Sequence, residues 1–184
     1  MNIFVLLYDG FFPPDIVFAC LEFRDENLLT VALEDRVYNA NGQKLVPDKI
    51  LADLNKEEID LFIIPGGRNK KLFDNQELKS FLLDLNERNI YIAGLCNANY
   101  LMANYGLLEN KKITGTGNPE SDKEYKDILK KSTIVDEDFV KDGNIITAPG
   151  RAFIEFAVGL GKLMDVYENE EEAEKICKWL KNIK

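Results

Sequence analysis

Short unbroken apolar runs alternate along this chain with segments whose apolar residues recur at helical spacing. Ile3 to Tyr8 and Ile90 to Leu95 are such runs, and Leu28 to Leu33 and Ile59 to Ile64 are interrupted by one polar residue each, Thr30 and Asp60, as expected of strands buried on both faces of a parallel sheet. After the first run, Pro13 and Pro14 suit the opening turn of a helix that continues through Ile16 and Ala19 to about Phe23. Gln76 to Asn86 places Leu78, Phe81, Leu82 and Leu85 on one helical face. Asn97 to Tyr105 reads as a helix stopped by Gly106. Arg151 to Val166 and Glu170 to Ile183 close the chain as helices, the second with Ile176, Trp179, Leu180 and Ile183 as its apolar stripe.

Weaker patterns fill the gaps. Arg36 to Val46 predicts a hairpin about Asn41-Gly42, and Thr133 to Val135, Phe139 to Lys141 and Asn144 to Ala148 read as strands, with Asp142-Gly143 turning between the last two. Ile113 to Lys131, rich in Gly, Thr, Lys and Asp, predicts a loop with a short helix near Lys123 to Leu129. The alternation implies an α/β domain over residues 1–184: a mostly parallel sheet with helices on both faces and small added β-hairpins. Ligands in such folds bind beyond the carboxyl ends of the strands. Asp15, Gly66-Gly67 and Cys96 all fall at such ends.

Composition narrows the function. A net charge of −9 over 184 residues opposes nucleic acid or an anionic membrane surface as partner, since both require a basic face. The apolar start Met1 to Tyr8 has no basic flank and runs into a turn, so it reads as a strand rather than a signal peptide. No segment approaches the roughly 20 apolar residues of a membrane span. Three scattered cysteines, no CxxC and no histidine argue against a disulfide framework or zinc site and for a reducing, cytoplasmic setting. No metal or organic cofactor is implied.

The chemistry centres on Cys96. In Tyr91-Ile-Ala-Gly-Leu-Cys-Asn-Ala-Asn-Tyr100 a β-rich run breaks at one cysteine and resumes as a helix, the shape of a nucleophile elbow whose helix N-terminus is expected to favour the thiolate. With no histidine in the chain, a Cys-His dyad is excluded. Cys20 and Cys177 sit among apolar residues and read as structural. Asp15 suits either a helix start or the site, Gly66 and Gly67 either a turn or an anion-binding loop, and Asn97 and Asn99 either a pocket or a cap. Arg68 is a surface residue or a pocket group for an anionic substrate, and Arg151 and Glu155 are a possible pair near the last motif.

Taken in order, Asp60-Leu-Phe-Ile-Ile-Pro-Gly-Gly67, Ala93-Gly-Leu-Cys-Asn-Ala98 and Asn144-Ile-Ile-Thr-Ala-Pro-Gly150 resemble the ThiJ/PfpI family, which includes the parkinsonism-associated deglycase and belongs to the class I glutamine amidotransferase-like superfamily. The resemblance spans nearly the whole chain. It implies a flavodoxin-like three-layer sandwich, usually a homodimer, with a small-molecule substrate. By the same resemblance Cys96 is the reactive cysteine, Asp15 its acidic partner from the first helix, and Gly67 and Asn97 the backbone amides of an oxyanion hole. Where relatives place histidine directly after the cysteine this chain has Asn97, and their pocket histidine aligns near Lys131. A branch resembling isonitrile hydratase pairs the cysteine with an aspartate and needs no histidine. The reading is a histidine-independent cysteine hydrolase, hydratase or glyoxalase/deglycase-like lyase; the alternative is a redox-responsive or ligand-binding protein whose elbow cysteine is oxidised.

Overall fold

The computed structural model describes residues 1–182. In chain order it forms β1 (Asn2–Leu6), α1 (Pro14–Glu22), β2 (Asn27–Ala32), β3 (Val37–Tyr38), β4 (Lys44–Leu45), β5 (Lys49–Ile50), β6 (Leu61–Ile64), α2 (Gln76–Glu87) and β7 (Tyr91–Leu95). There follow α3 (Ala98–Asn104), β8 (Lys112–Thr114), α4 (Pro119–Glu124), α5 (Lys126–Leu129), β9 (Thr133–Val135), β10 (Val140–Asp142), β11 (Ile145–Ala148), α6 (Phe153–Leu163) and α7 (Glu170–Leu180). Ile183 of the expected apolar stripe lies outside the described residues.

Seven strands make the main sheet in the order β10-β11-β7-β6-β1-β2-β5. Every pairing in it is parallel except β10 with β11. β6 and β11 are buried along their whole length, which is why their sequences show no alternation. The chain steps from β1 outward to β2 and later returns to add β6 on the other side of β1. Right-handed crossovers in opposite directions put α1 and α2 on opposite faces of the sheet. α1 packs along α6, and α6 against α7, while α2 and α3 each pack on β7. The result is a three-layer α/β sandwich whose topological switch point lies between the carboxyl ends of β1 and β6.

The expected hairpin is present: Val37 pairs with Leu45 and Tyr38 with Lys44. Asn39 organises its turn, with Oδ1 accepting from the Asn41 and Gln43 amides at 3.0 Å each. The segment read as a loop from Ile113 differs, because β8 pairs with β9 in a separate two-stranded sheet. That pair is parallel, Ile113 opposite Ile134, so it is not a hairpin. Three residues per strand leave too little pattern for periodicity to register.

Asn169 caps α7, its side chain accepting from the Glu172 amide at 3.0 Å, with Glu170, Glu171 and Glu172 in the first turn where the helix dipole favours acids. Among the described residues no helix is long and apolar enough to cross a membrane.

Candidate functional site around Cys96

Four neighbouring strands deliver the site. β1 leads into the turn before α1, which carries Asp15; β6 ends at Pro65-Gly66-Gly67; β7 ends at Cys96; β11 ends at Pro149-Gly150. The Cys96 amide donates to Ala148 O at 3.0 Å, carrying the β7–β11 ladder one residue past the strand. The chain then turns sharply into α3 with Cys96 at φ 58°, a left-handed conformation that a side chain adopts only under constraint.

Asp15 lies in the first turn of α1 but does not cap it. The residue is 2% exposed, and Oδ2 accepts the Gly66 N–H at 2.8 Å. Among the described residues Oδ1 finds no hydrogen-bond partner. Burial raises its pKa to about 7, against the Gly66 hydrogen bond, which lowers it.

Gly66 is the spacer between this carboxyl and the cysteine. A β-carbon there would stand 2.6 Å from Asp15 Oδ2, 2.7 Å from Cys96 Cβ and 3.0 Å from the Asn97 amide nitrogen. Any side chain would force the two groups apart. Gly67, at φ 128°, faces Phe11 across an isolated antiparallel bridge. The flanking bonds, Phe12 N to Gly66 O and Arg68 N to Gly10 O, make this a non-hydrogen-bonded pair, so the Gly67 N–H points away from the Phe11 segment. Tyr8 braces the loop from below, its buried hydroxyl donating to Pro65 O at 2.9 Å.

For Asn97 the sequence leaves a pocket-lining or an α3-capping side chain open and favours the backbone amide alone. Its side chain makes no cap bond. Nδ2 donates instead to Gly67 O at 3.1 Å, and Oδ1 accepts from Cys96 Sγ at 3.8 Å. Asn69, 4% exposed, donates from Nδ2 to Asn97 O at 2.7 Å.

The thiol departs from expectation. Burial and the Asp15 charge push the Cys96 pKa up to about 11; Asn97 N–H pulls it down, and Asp122 pushes it up. The helix terminus therefore does not deliver a resting thiolate, because desolvation outweighs one amide.

Arg68 does not join this group: its guanidinium donates to Ala40 O at 2.8 Å and lines a separate hollow with Asp9, Glu34 and Asn75. Lys131 pairs with Glu109. Arg151 and Glu155 do not pair with each other, since Arg151 bridges Asp136 and Asp138, each at 3.1 Å, and Glu155 holds Lys181.

The model of the DJ-1/PfpI family matches residues 1–162. The chain belongs to that family. It is 32% identical over 152 residues to the "Uncharacterized protease YdeA" of Bacillus subtilis, covering 83% of this chain and 75% of that one. It is 27% identical over 143 residues to protein dj-1beta of Drosophila melanogaster, covering 74% of this chain and 71% of that one. The crystal structure of Drosophila DJ-1beta superposes with a TM-score of 0.83 at 22% identity, over 98% of both chains. That of a thiJ/pfpI family protein from Bacillus anthracis superposes with 0.85 at 21% identity, over 96% of this chain and 88% of that one. The flavodoxin-like sandwich is thus the fold of this DJ-1/PfpI chain.

Within the DJ-1/PfpI framework several neighbours of the cysteine escaped the sequence reading. A β-carbon on Gly150 would stand 2.8 Å from Cys96 Sγ, so the third motif ends on the sulfur itself. The Gly150 amide donates to Thr116 O at 2.9 Å. Thr116 Oγ1 and Tyr100 OH both donate to Asp122 Oδ1, at 2.9 and 2.7 Å, which fixes a carboxylate within electrostatic reach of the thiol. Gly150 and Tyr100 stand in the quoted motifs, whereas the signal for Thr116 and Asp122 was only the density of Gly, Thr and Asp in the stretch read as a loop. Among the described residues no cluster of three or more His, Cys, Asp or Glu side chains is placed to hold a metal ion.

Proposed function

We propose that this DJ-1/PfpI protein is a cysteine-dependent enzyme acting on a small electrophilic carbon, with Cys96 as nucleophile and Asp15 as proton carrier. The observation that supports it most is Asp15 itself. A carboxyl with one oxygen on the Gly66 amide, the other buried and unpartnered, and a pKa of about 7 can both take and return a proton near neutral pH.

The step needs no histidine. As Cys96 Sγ forms its bond to a carbonyl carbon, the Asp15 carboxylate receives the thiol proton and the C=O π pair moves onto oxygen. The Gly67 and Asn97 N–H groups hold that oxyanion, and Asp15 then returns the proton to it, leaving a neutral hemithioacetal. Because the sequence contains no histidine, neither one copy nor two can assemble a Cys-His dyad. The protease label of the Bacillus relative is therefore not carried to this chain, and the hydrolase, hydratase and lyase chemistries remain.

Two further expectations belong to the same proposal. A second copy of the chain is the partner proposed for the exposed apolar residues Phe12, Val17 and Leu21; Val17 and Leu21 share one face of α1 at a spacing of one helical turn. Three free cysteines suit the reducing cytoplasm.

The test is turnover of 2-oxoaldehydes, isonitriles and small esters by the wild type, Cys96→Ser and Asp15→Asn. The expected result is turnover of one class, abolished in Cys96→Ser and lowered by about 10²- to 10⁴-fold in Asp15→Asn, the range for a lost general acid–base. Absence of turnover together with selective oxidation of Cys96 by mild peroxide would replace the enzyme with a redox-responsive protein.

A further inference from the structure

Asn97 spans the gap between the two loops that frame the cysteine. Its Nδ2 donates to Gly67 O at 3.1 Å. A carbonyl only accepts, so the nitrogen of the carboxamide is committed to Gly67 and the oxygen must face the other way. There Oδ1 accepts from Cys96 Sγ at 3.8 Å. Asn69 fixes the same residue from behind through Asn97 O, at 2.7 Å. None of these bonds serves α3, which Asn97 does not cap with its side chain.

We propose that the Asn97 carboxamide is a latch: it holds the Cys96 proton on sulfur in the resting protein and ties the cysteine to the Gly67 loop. The inference deepens the nucleophile reading and rests on it. Asn97 then acts on the sulfur in two opposed ways. Its backbone N–H favours the thiolate, whereas a carbonyl oxygen accepting from S–H favours the neutral thiol and repels its anion. A positioning residue of this kind keeps the half-buried nucleophile from reacting indiscriminately before substrate oxygen occupies the two backbone amides. The other titratable groups facing Cys96 are Asp15 from α1, Asp122 from α4 and Tyr8 just beyond β1. All are acids, so none of them can draw the proton off the sulfur by its positive charge.

The experiment is the pH dependence of Cys96 alkylation by iodoacetamide in the full chain, read by peptide mass mapping, for the wild type, Asn97→Leu and Asn97→Asp. Asn97→Leu removes the acceptor and keeps the backbone amide; labelling at pH 8 is expected to rise about tenfold, one pKa unit. Asn97→Asp keeps an acceptor and adds a negative charge, and labelling is expected to fall below wild type. Simple loosening of the fold would accelerate both. Equal rates in all three proteins, or a shift of both variants in the same direction, would overturn the latch. Should Asn97→Leu fail to fold, as judged by circular dichroism, Asn97→Ala gives the same readout. Alkylation does not require turnover, so the two proposals fail separately: opposed shifts without turnover keep the latch and lose the enzyme, and turnover with unmoved labelling does the reverse.

Discussion

The Gly66 amide donates to Asp15 Oδ2 at 2.8 Å, and the missing side chain of that glycine is the reason the carboxyl can lie against the cysteine turn. Gly66→Ala would put a methyl group where Asp15 and Cys96 Cβ already stand. Overpacking of this kind costs about 1–3 kcal/mol. The expected outcome is a lower midpoint of chemical denaturation together with loss of turnover, while Gly42→Ala, in open space at the hairpin tip, should leave turnover unchanged.

Asp15 should give stability a characteristic pH profile. Its carboxyl rises from 3.8 to about 7 on folding, so the unfolded chain releases this proton first as pH increases. The contribution is fully present below about pH 4, declines through the interval up to about pH 7, and is gone above it. At about 1.4 kcal/mol per pKa unit the whole swing is at most about 4 kcal/mol. Urea unfolding at pH 4.5, 6 and 8 should show wild type losing stability relative to Asp15→Asn as pH rises. A difference that is flat with pH would contradict the assignment.

Tyr8→Phe removes the hydroxyl that donates to the Pro65 carbonyl from just beyond β1, at 2.9 Å. A buried acceptor left without its donor costs about 1–3 kcal/mol. Thermal unfolding should report that loss, and because the Pro65-Gly66-Gly67 loop would gain freedom, the turnover number should fall more than the Michaelis constant changes.

Val17 is 55% exposed on α1 and is proposed to face a second copy. Multi-angle light scattering is expected to give twice the chain mass for the wild type and a shift to the single chain for Val17→Asp. A single-chain mass for the wild type at micromolar concentration would remove the dimer.

Much of this was legible before the structure. Buried parallel strands announce themselves as unbroken apolar runs, so Ile3, Leu61 and Ile92 fell in β1, β6 and β7 or beside their ends, and strand ends are where such sheets gather their chemistry. That logic put Asp15, Gly66 and Cys96 in one place. What it could not supply depends on who meets whom in space. Burial of Cys96, not its helix, decides the direction of its pKa. The Asn97 carboxamide had a capping role available locally and spends its bonds on Gly67 and Cys96 instead. Arg68 stands next to Gly67 in sequence, yet its side chain is drawn off by Ala40, and Thr116 and Asp122 are held at the site by bonds to Gly150 and Tyr100 from other parts of the chain.

The bond between Asp15 and Gly66 joins residues 51 apart in the chain, and that from Asn99 to Ala148 joins residues 49 apart. Contacts of such separation are the last to be repaid during folding, because the intervening loop must close first. The β3–β4 hairpin needs no such closure. The cysteine pocket consequently belongs to the tertiary assembly of β1, β6, β7 and β11 and not to any local segment, so shielding of the Cys96 thiol reports the docking of these strand ends.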